Sequence, residues 1–455
     1  MDLLKLFQPK TMAVIGVSLT NESHPANVIF NKNNLRQQVR VVAVNNRGGE
    51  LRGEKVYESI SHVPGQVDLV VIATKAHLVP DVLSECVQAG AGAGIIISGG
   101  FAETGRKDLQ DRVRAIATEG GFPFVGPNCL GIYSPPYLDT FFIPSERIVR
   151  PEQGKVALVS QSGGVLVDHM VKCAAEGVGV SAAVSIGNKA MVRETDLIRY
   201  FSEDPGTSVI TFYVEGFDEN EGRQFVTAAG ECPKPIIIMK TGKTLEGTKA
   251  VKSHTASMAG DYAVFSSVMS QYGIVEATDE FELISFAEAL SCYPGSIEGR
   301  VAVVTGSGGH GALCVDACAA HGLTVPGLDE TAQGELRGQV SPVIQDIASF
   351  RNPIDLTGSS VDDDFAAVLR YLSRRQDIDC IIALLLPYLP GISTDLGARI
   401  GMIYQQEKKP IIAYVPHVEK YWMLIEGFML NDVPVAHSVE DAVHMAEALK
   451  RHRSW

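Results

Sequence analysis

The chain has 455 residues, 45% of them hydrophobic and 20% charged, enough for roughly two to four domains that each bury a core, which excludes a disordered or fibrous protein. Its formal net charge of -14 excludes a nucleic-acid binder that gains affinity by neutralising phosphates, so an anionic ligand must be gripped locally by glycine-rich turns, helix N-termini and single basic side chains. The apolar runs fall far short of the ~20 residues that cross a bilayer, and Met1 to Lys5 has no signal-peptide character, so a soluble cytoplasmic protein with no membrane partner is expected.

Short apolar runs alternate with longer helical patterns along the chain, the βαβ rhythm of an α/β fold with parallel sheets. Strands are expected at Thr11 to Val17, Val39 to Val44, Leu69 to Ala73, Ala93 to Ser98 and Phe122 to Val125, forming one doubly wound, Rossmann-like sheet in a first domain, 1–148. After the first strand, Gly16 lets the chain bend and the following residues, Ser18 among them, offer N–H groups to a phosphate. The other glycines of GxGxxG are missing, and the second strand ends in Asn45-Asn46-Arg47 rather than in the carboxylate that would hold a ribose. A nicotinamide-dependent oxidoreductase is therefore disfavoured, and Arg47 is a candidate partner for a phosphate such as the 3′-phosphate of CoA, the alternative being a solvated loop charge. Ser98 and Gly99, in Ser98-Gly99-Gly100-Phe101, put small residues at the carboxyl end of a strand, where open parallel sheets bind ligands. In Val125-Gly-Pro-Asn-Cys-Leu-Gly131, Pro127 and Asn128 make a stiff turn whose amide can orient a carboxylate or thioester carbonyl, unless it is a turn and nothing more.

A Pro-rich, aromatic connection from Ser134 to Pro151 leads to a second series of strands, Val156 to Ser160, Val180 to Ser185, Val209 to Tyr213 and Ile236 to Lys240, in a domain spanning 152–294. Beyond Tyr293 to Arg300, the strands Val301 to Thr305, Cys380 to Leu386 and Ile411 to Val415 predict a third domain, 298–455. Lys155-Val-Ala-Leu-Val-Ser-Gln-Ser-Gly-Gly164 aligns without a gap on Arg300-Val-Ala-Val-Val-Thr-Gly-Ser-Gly-Gly309, so domains two and three read as copies of one flavodoxin-like unit. Each copy ends its first strand in a phosphate cradle: Ser160, Gln161, Ser162, Gly163 and Gly164 in one, Gly306, Ser307, Gly308 and Gly309 in the other. A helix N-terminus following such a turn attracts an anion by ~0.3–1 kcal/mol, up to about 2 when partly buried. His254, in the small-residue segment Lys252 to Gly260, is a candidate nucleophile and carrier, since neutral imidazole forms a labile N–P bond. Glu215, at the end of the strand Val209 to Val214, is its candidate orienting carboxylate. Eight cysteines without CxxC spacing or a Cys/His cluster predict reduced thiols and no metal site.

In this order the GVS turn, Asn45 to Gly48, Gly126 to Gly131, Ser160 to Gly164, Ser185-Ile-Gly-Asn-Lys189, Tyr213-Val-Glu-Gly216, Ser253-His-Thr255 and Asn352-Pro-Ile-Asp-Leu-Thr-Gly358 cover nearly the whole chain. The set resembles the α subunit of the ADP-forming (NDP-forming) acetyl-CoA and acyl-CoA synthetases, relatives of succinyl-CoA synthetase. The resemblance implies that domain one binds CoA, with Gly16, Ser18, Asn45, Arg47, Thr74, Lys75, Ser98 and Gly99 around it and with Pro127 and Asn128 beside the acyl group. It implies that His254 is phosphorylated, that Glu215 is its partner, and that the helices beginning near Ser162 and Ser307 grip the phosphoryl group. It further implies phosphate and a small carboxylic acid or acyl-CoA as substrates, and an ATP-grasp β subunit that binds ADP or ATP with Mg2+ in an α2β2 assembly. The family often has Pro where this chain has Asn46 and Lys75, which alters the expected CoA pocket. A reading from a different class is a non-catalytic CoA-binding regulatory or scaffold subunit of the same fold, against which the presence of both Glu215 and His254 speaks.

Overall fold

The computed structural model describes residues 2–254 and 261–452, except for the side chains of 251–254. Runs of β-branched residues become short strands buried on both faces, as parallel sheets covered by helices require. In chain order they are β1 (Thr11–Ile15), β2 (Arg40–Val44), β3 (Gly49–Leu51), β4 (Glu54–Tyr57), β5 (Leu69–Ile72), β6 (Ala93–Ile96), β7 (Phe124–Val125), β8 (Gly131–Ser134), β9 (Leu138–Asp139) and β10 (Gln153–Ser160). Then follow β11 (Val180–Ser185), β12 (Val209–Val214), β13 (Ile236–Lys240), β14 (Val275–Ala277), β15 (Val301–Thr305), β16 (Ile354–Asp355), β17 (Cys380–Leu384), β18 (Ile411–Tyr414) and β19 (Val435–Ala436).

They form three sheets. The first runs β3-β4-β2-β1-β5-β6-β7, parallel apart from the antiparallel β3. Without that edge strand, it has the order of a doubly wound nucleotide-binding sheet, reversing direction at β1. The second runs β14-β13-β12-β10-β11-β8-β9 and the third β16-β15-β17-β18-β19. With the β8-β9 hairpin left out of the second sheet, the first strand of each lies between the second and third, which is the flavodoxin-like order with its switch point at β10 and at β15. The duplication read from the sequence is therefore matched by strand order.

The chain divides into two compact units, Met1–Glu280 and Phe281–Trp455. Two sheets share the first unit because one apolar cluster runs through both, from Leu6, Phe7 and Phe30 to Leu138, Ile186, Phe201 and Phe212. Part of the stretch expected as a connection is sheet. β8 pairs antiparallel with β11, and β9 with β8, so the hairpin before Pro151 extends the second sheet. The second unit has its own core, including Val304, Phe350, Phe365, Leu385, Ile400 and Phe428. Helices follow local chemistry: Glu194–Glu203 buries Leu197, Ile198 and Phe201 on one face, and Ser438 Oγ caps the last helix by accepting the Asp441 N–H at 3.0 Å. No helix of the described residues is long and apolar enough to cross a membrane.

Candidate functional site

At the carboxyl edge of the first sheet, β1 runs into Gly16 at φ +101°, where an added Cβ would lie 2.6 Å from the Ala73 carbonyl oxygen, so only glycine fits. The adjacent Thr74 hydroxyl is buried and has no hydrogen-bond partner among the described residues, which leaves a polar group beside a bare glycine turn, suited to a phosphate or ribose. Ser18 and Asn45 are turned inward. The Ser18 N–H donates to Asn27 Oδ1 at 2.7 Å and its Oγ accepts from Asn21 N at 3.0 Å. Asn45 Nδ2 donates to the Val17 carbonyl at 2.5 Å while its Oδ1 accepts the Arg47 N–H at 2.9 Å. Both side chains shape the turns and leave Arg47 and Lys75, each exposed, as the basic groups on this rim. Ser98 Oγ donates to the Thr74 carbonyl at 2.6 Å, tying neighbouring strand ends together.

The turn of Pro127 and Asn128 docks onto the second sheet. Asn188 N–H donates to Pro127 O and Ala190 N–H to Gly126 O, both at 2.9 Å. The approach is so close that a Cβ on Gly187 would sit 2.3 Å from Pro127 O. Asn128, at φ +57°, points its Nδ2 at Asn188 Oδ1 across 3.3 Å, and a Cβ on Gly99 would lie 3.2 Å from Asn128 Oδ1. Asn188 in turn donates to Glu103 Oε2 at 2.5 Å and Gln110 Oε1 at 2.9 Å. Burial works against the charge of Glu103, but Asn188 and the N–H groups of Gly100 and Phe101 prevail and keep its pKa below the ordinary range. Burial pushes the Cys129 thiol up to about 12, so this cysteine packs the turn and is no nucleophile.

The first cradle lies next to this turn: Leu130 N–H donates to Ser185 Oγ at 3.1 Å, and a Cβ on Gly163 would meet Leu130 Cγ at 2.9 Å. At the end of β10, Ser160 Oγ accepts from Ser162 N at 3.1 Å and donates to Ser162 O at 2.7 Å. Ser162 gives the helix Gly163–Ala175 no side-chain cap, so its first N–H groups keep the partial positive charge that draws an anion. The second cradle repeats the device in its own unit. Thr305 Oγ1 accepts from Ser307 N at 3.1 Å, and the helix Gly308–Ala320 has no side-chain cap from Ser307. It differs in carrying its own acid, because a Cβ on Gly308 would lie 2.9 Å from Asp355 Oδ2. His310 Nδ1 lies 3.2 Å from Ser307 Oγ.

Glu215 follows β12 in a buried corner, 8% exposed. Gln161, expected as a phosphate ligand, directs its side chain there: Oε1 accepts the Glu215 N–H at 2.6 Å and Nε2 donates to Gly216 O at 2.8 Å. The structure thus brings together, in one unit, Gly99, Asn128, the first cradle and Glu215. His254 closes the helix Leu245–His254, and its side chain lies outside the described residues.

A family model for the CoA binding domain matches residues 10–135, and one for the succinyl-CoA ligase like flavodoxin domain matches 153–290. The α subunit of acetate–CoA ligase (ADP-forming) I of Pyrococcus furiosus is 32% identical over 100% of this chain and 98% of that one. The chain belongs to the family of ADP-forming acetate–CoA ligase α subunits, within the succinyl-CoA synthetase superfamily. Acetate–CoA ligase (ADP-forming) I of Archaeoglobus fulgidus is 34% identical over 84% of this chain, which spans only 55% of that relative's length. Among solved structures, the dinucleotide-forming acetyl-coenzyme A synthetase 1 of Candidatus Korarchaeum cryptofilum, in complex with phosphate and ADP, superposes with a TM-score of 0.88 at 30% identity. That match covers 99% of this chain and 96% of the other.

Within this ligase α-subunit fold, Lys189 and Lys240, to which the sequence assigns no role of their own, bond the same corner. Lys240 Nζ donates to the Glu215 carbonyl at 2.7 Å, and Lys189 Nζ to the Gly216 carbonyl at 3.2 Å. The available signal was positional: each stands at or just beyond a strand end on the rim where Glu215 lies.

Proposed function

We propose that this chain is the CoA-binding, phosphohistidine-carrying α subunit of an NDP-forming acyl-CoA synthetase. It interconverts acyl-CoA, NDP (ADP) and phosphate with carboxylic acid, CoA and NTP, with domains at 1–148, 152–294 and 298–455. The observation that carries the reading is the docking of the Asn128 turn of the CoA-binding part onto Gly187 and Asn188, beside the first cradle. A thioester oriented by Asn128 stands next to the turn that grips phosphate.

In the thioester-breaking direction a phosphate oxygen attacks the acyl carbonyl, the C–S bond breaks and the CoA thiolate leaves to take up a proton. The acyl phosphate then gives its phosphoryl group to His254: the N–P bond forms as the P–O bond breaks and the carboxylate departs. An oxygen of the NDP terminal phosphate finally displaces the imidazole. Division into two transfers through a side chain replaces one difficult step with two easier ones, and each depends chiefly on positioning and on neutralising the phosphoryl charge. Ser160 to Gly164 supply that neutralisation through backbone N–H groups, and Gly306 to Gly309 carry the same phosphate-binding device within the second unit. Glu215 holds the imidazole with its attacking nitrogen unprotonated, while Gly16, Thr74, Lys75, Arg47, Ser98 and Gly99 hold CoA. An ATP-grasp β subunit supplies the nucleotide site.

The test is phosphorylation of wild type, His254→Ala and Glu215→Gln with the ATP-grasp partner and labelled NTP. Acid-labile, base-stable label is expected on wild type, none on His254→Ala, and slower labelling of Glu215→Gln, in which the nucleophile remains. Stable label on His254→Ala would overturn the assignment, with His310 the first alternative carrier.

A further inference from the structure

The corner at Glu215 is held far more firmly than a strand-to-loop junction needs. Gln161 Oε1 accepts from both Glu215 N, at 2.6 Å, and Gly216 N, at 3.2 Å. Lys240 Nζ donates to Glu215 O at 2.7 Å, the carbonyl of the peptide that carries the Gly216 N–H, while Gly216 O on the next peptide accepts from Gln161 Nε2 at 2.8 Å and Lys189 Nζ at 3.2 Å. Gln161, Lys189 and Lys240 are all buried, so their groups face protein instead of water. Lys189 is compensated by Glu194 at 3.2 Å and Glu221 at 2.8 Å, and Arg193 adds a contact of 2.7 Å to Glu221. Burial opposes the Lys189 charge, but the two carboxylates outweigh it and raise its pKa above the ordinary lysine value. Lys240 Nζ donates to the Thr241 carbonyl as well as to that of Glu215, and burial lowers its pKa against the attraction of Glu215.

A buried ion cluster is a poor source of net stability, because desolvation cancels much of the attraction. What such a cluster does supply is a fixed geometry, since every donor and acceptor in it has one satisfactory arrangement. We propose that Gln161, Lys189 and Lys240 are positioning residues for Glu215: Gln161 and Lys240 lock the peptides on either side of its Cα, Lys189 holds the next peptide through Gly216 O, and together they set the direction in which its carboxylate is presented to the carrier imidazole. Gln161 has a double place. Its backbone belongs to the first cradle and its carboxamide to the Glu215 corner, so the phosphate grip and the orienting acid are coupled through one side chain. The inference rests on the pairing of Glu215 with His254 stated above.

The test reads His254 directly in the full-length chain. Its carbethoxylation by diethyl pyrocarbonate is followed against pH by mass spectrometry of the peptide that carries it, with CoA affinity as the check on folding. A carboxylate partner raises the pKa of an imidazole, so Glu215→Gln should move the midpoint of the His254 reactivity profile to lower pH. Gln161→Leu and Lys189→Met should move it in the same direction while CoA affinity is retained, and Lys189→Arg should restore part of the shift. With partner and labelled NTP, the same two variants should phosphorylate about tenfold more slowly or worse at unchanged KM for NTP, as displaced positioning groups do. If Gln161→Leu loses CoA binding, Gln161→Asn, which shortens the reach by one methylene, replaces it in both measurements with the same expected shifts. A shifted profile in Glu215→Gln with wild-type profiles in the Gln161 and Lys189 variants overturns the positioning role and leaves the pairing intact. An unshifted profile in Glu215→Gln overturns the pairing and the positioning role with it.

Discussion

Lys32 Nζ and Asp139 Oδ1 meet at 2.7 Å with side chains 4% and 1% exposed, joining the helix Pro25–Arg36 of the first sheet to β9 of the second. Arg150 Nε donates to the other carboxylate oxygen at 2.6 Å, and Asn33 bonds the Asp139 backbone on both sides at 2.7 and 2.8 Å. Burial drags Lys32 down to about 8 against the pull of Asp139. This cluster fixes the sheet of the CoA-binding domain on the sheet that carries the first cradle.

Lys32→Met should therefore destabilise the first unit by about 1–3 kcal/mol, since Asp139 Oδ1 and the Phe141 carbonyl lose their donor while Arg150 still compensates the carboxylate charge. The measurement is the denaturant midpoint of a fluorescence or circular dichroism transition. An unchanged midpoint would show that the pair is hydrated in solution.

Much of this architecture was legible in the sequence, and the reasons it was or was not are physical. β11, β13 and β15 run where continuous apolar residues placed them, because a strand buried on both faces admits little else. The repeated cradle was legible as repeated residues, and Ser160 with Ser162 and Thr305 with Ser307 make the same local bonds. β8 and β9 were missed because Pro135, Pro136 and Tyr137 read as a linker. Their pairing depends on β11, some 50 residues away, a contact no local pattern encodes. Gln161 was read as a ligand of phosphate because its cradle is contiguous in sequence. Its side-chain partners, Glu194, Glu215 and Gly216, come from other elements.

Asn352, at φ +68° before Pro353, is a staple in the second unit. Its Oδ1 accepts the Val303 N–H at 2.9 Å and its Nδ2 donates to Val301 O at 3.1 Å and Pro326 O at 2.8 Å. Asn352→Ala leaves these groups unpaired and puts alanine in a left-handed conformation, so a loss of about 3 kcal/mol or more is expected. Hydrogen exchange at Val303 reads the effect at the residue itself, and protection equal to wild type would refute it.

His169 lies on the first cradle's helix with its ring edge-on to Tyr213, centroids 6.2 Å apart. Its Nε2 is buried with no hydrogen-bond partner among the described residues. Burial lowers its pKa from 6.5 to about 4, with Asp168 opposing weakly. Between those values the unfolded chain binds more protons than the folded one, so the contribution to stability is full above pH 6.5 and declines as pH falls towards 4. The shift amounts to about 3 kcal/mol. His169→Leu should flatten the fall in thermal midpoint across this window relative to wild type, and an equally steep fall in the variant would place the titration elsewhere.

Arg47 follows β2 on the rim where Gly16 and the Thr74 hydroxyl leave room for a ligand. Its backbone N–H is held at 2.9 Å by Asn45 Oδ1, which fixes where the side chain starts while leaving the guanidinium exposed. A turn built so tightly around an exposed cation suits the capture of a phosphate that arrives from solvent, and a charge-assisted contact of this kind is worth about 1–3 kcal/mol. Arg47→Ala should weaken CoA binding by that amount in low-salt calorimetry, and the deficit should be smaller for dephospho-CoA, which lacks the 3′-phosphate. Raising the salt should narrow the gap between wild type and variant, because the exposed charge is screened while the contacts made by Gly16 and Thr74 are not. Equal losses for CoA and dephospho-CoA would move Arg47 from the 3′-phosphate to another part of the ligand, and an unchanged affinity would remove it from the site.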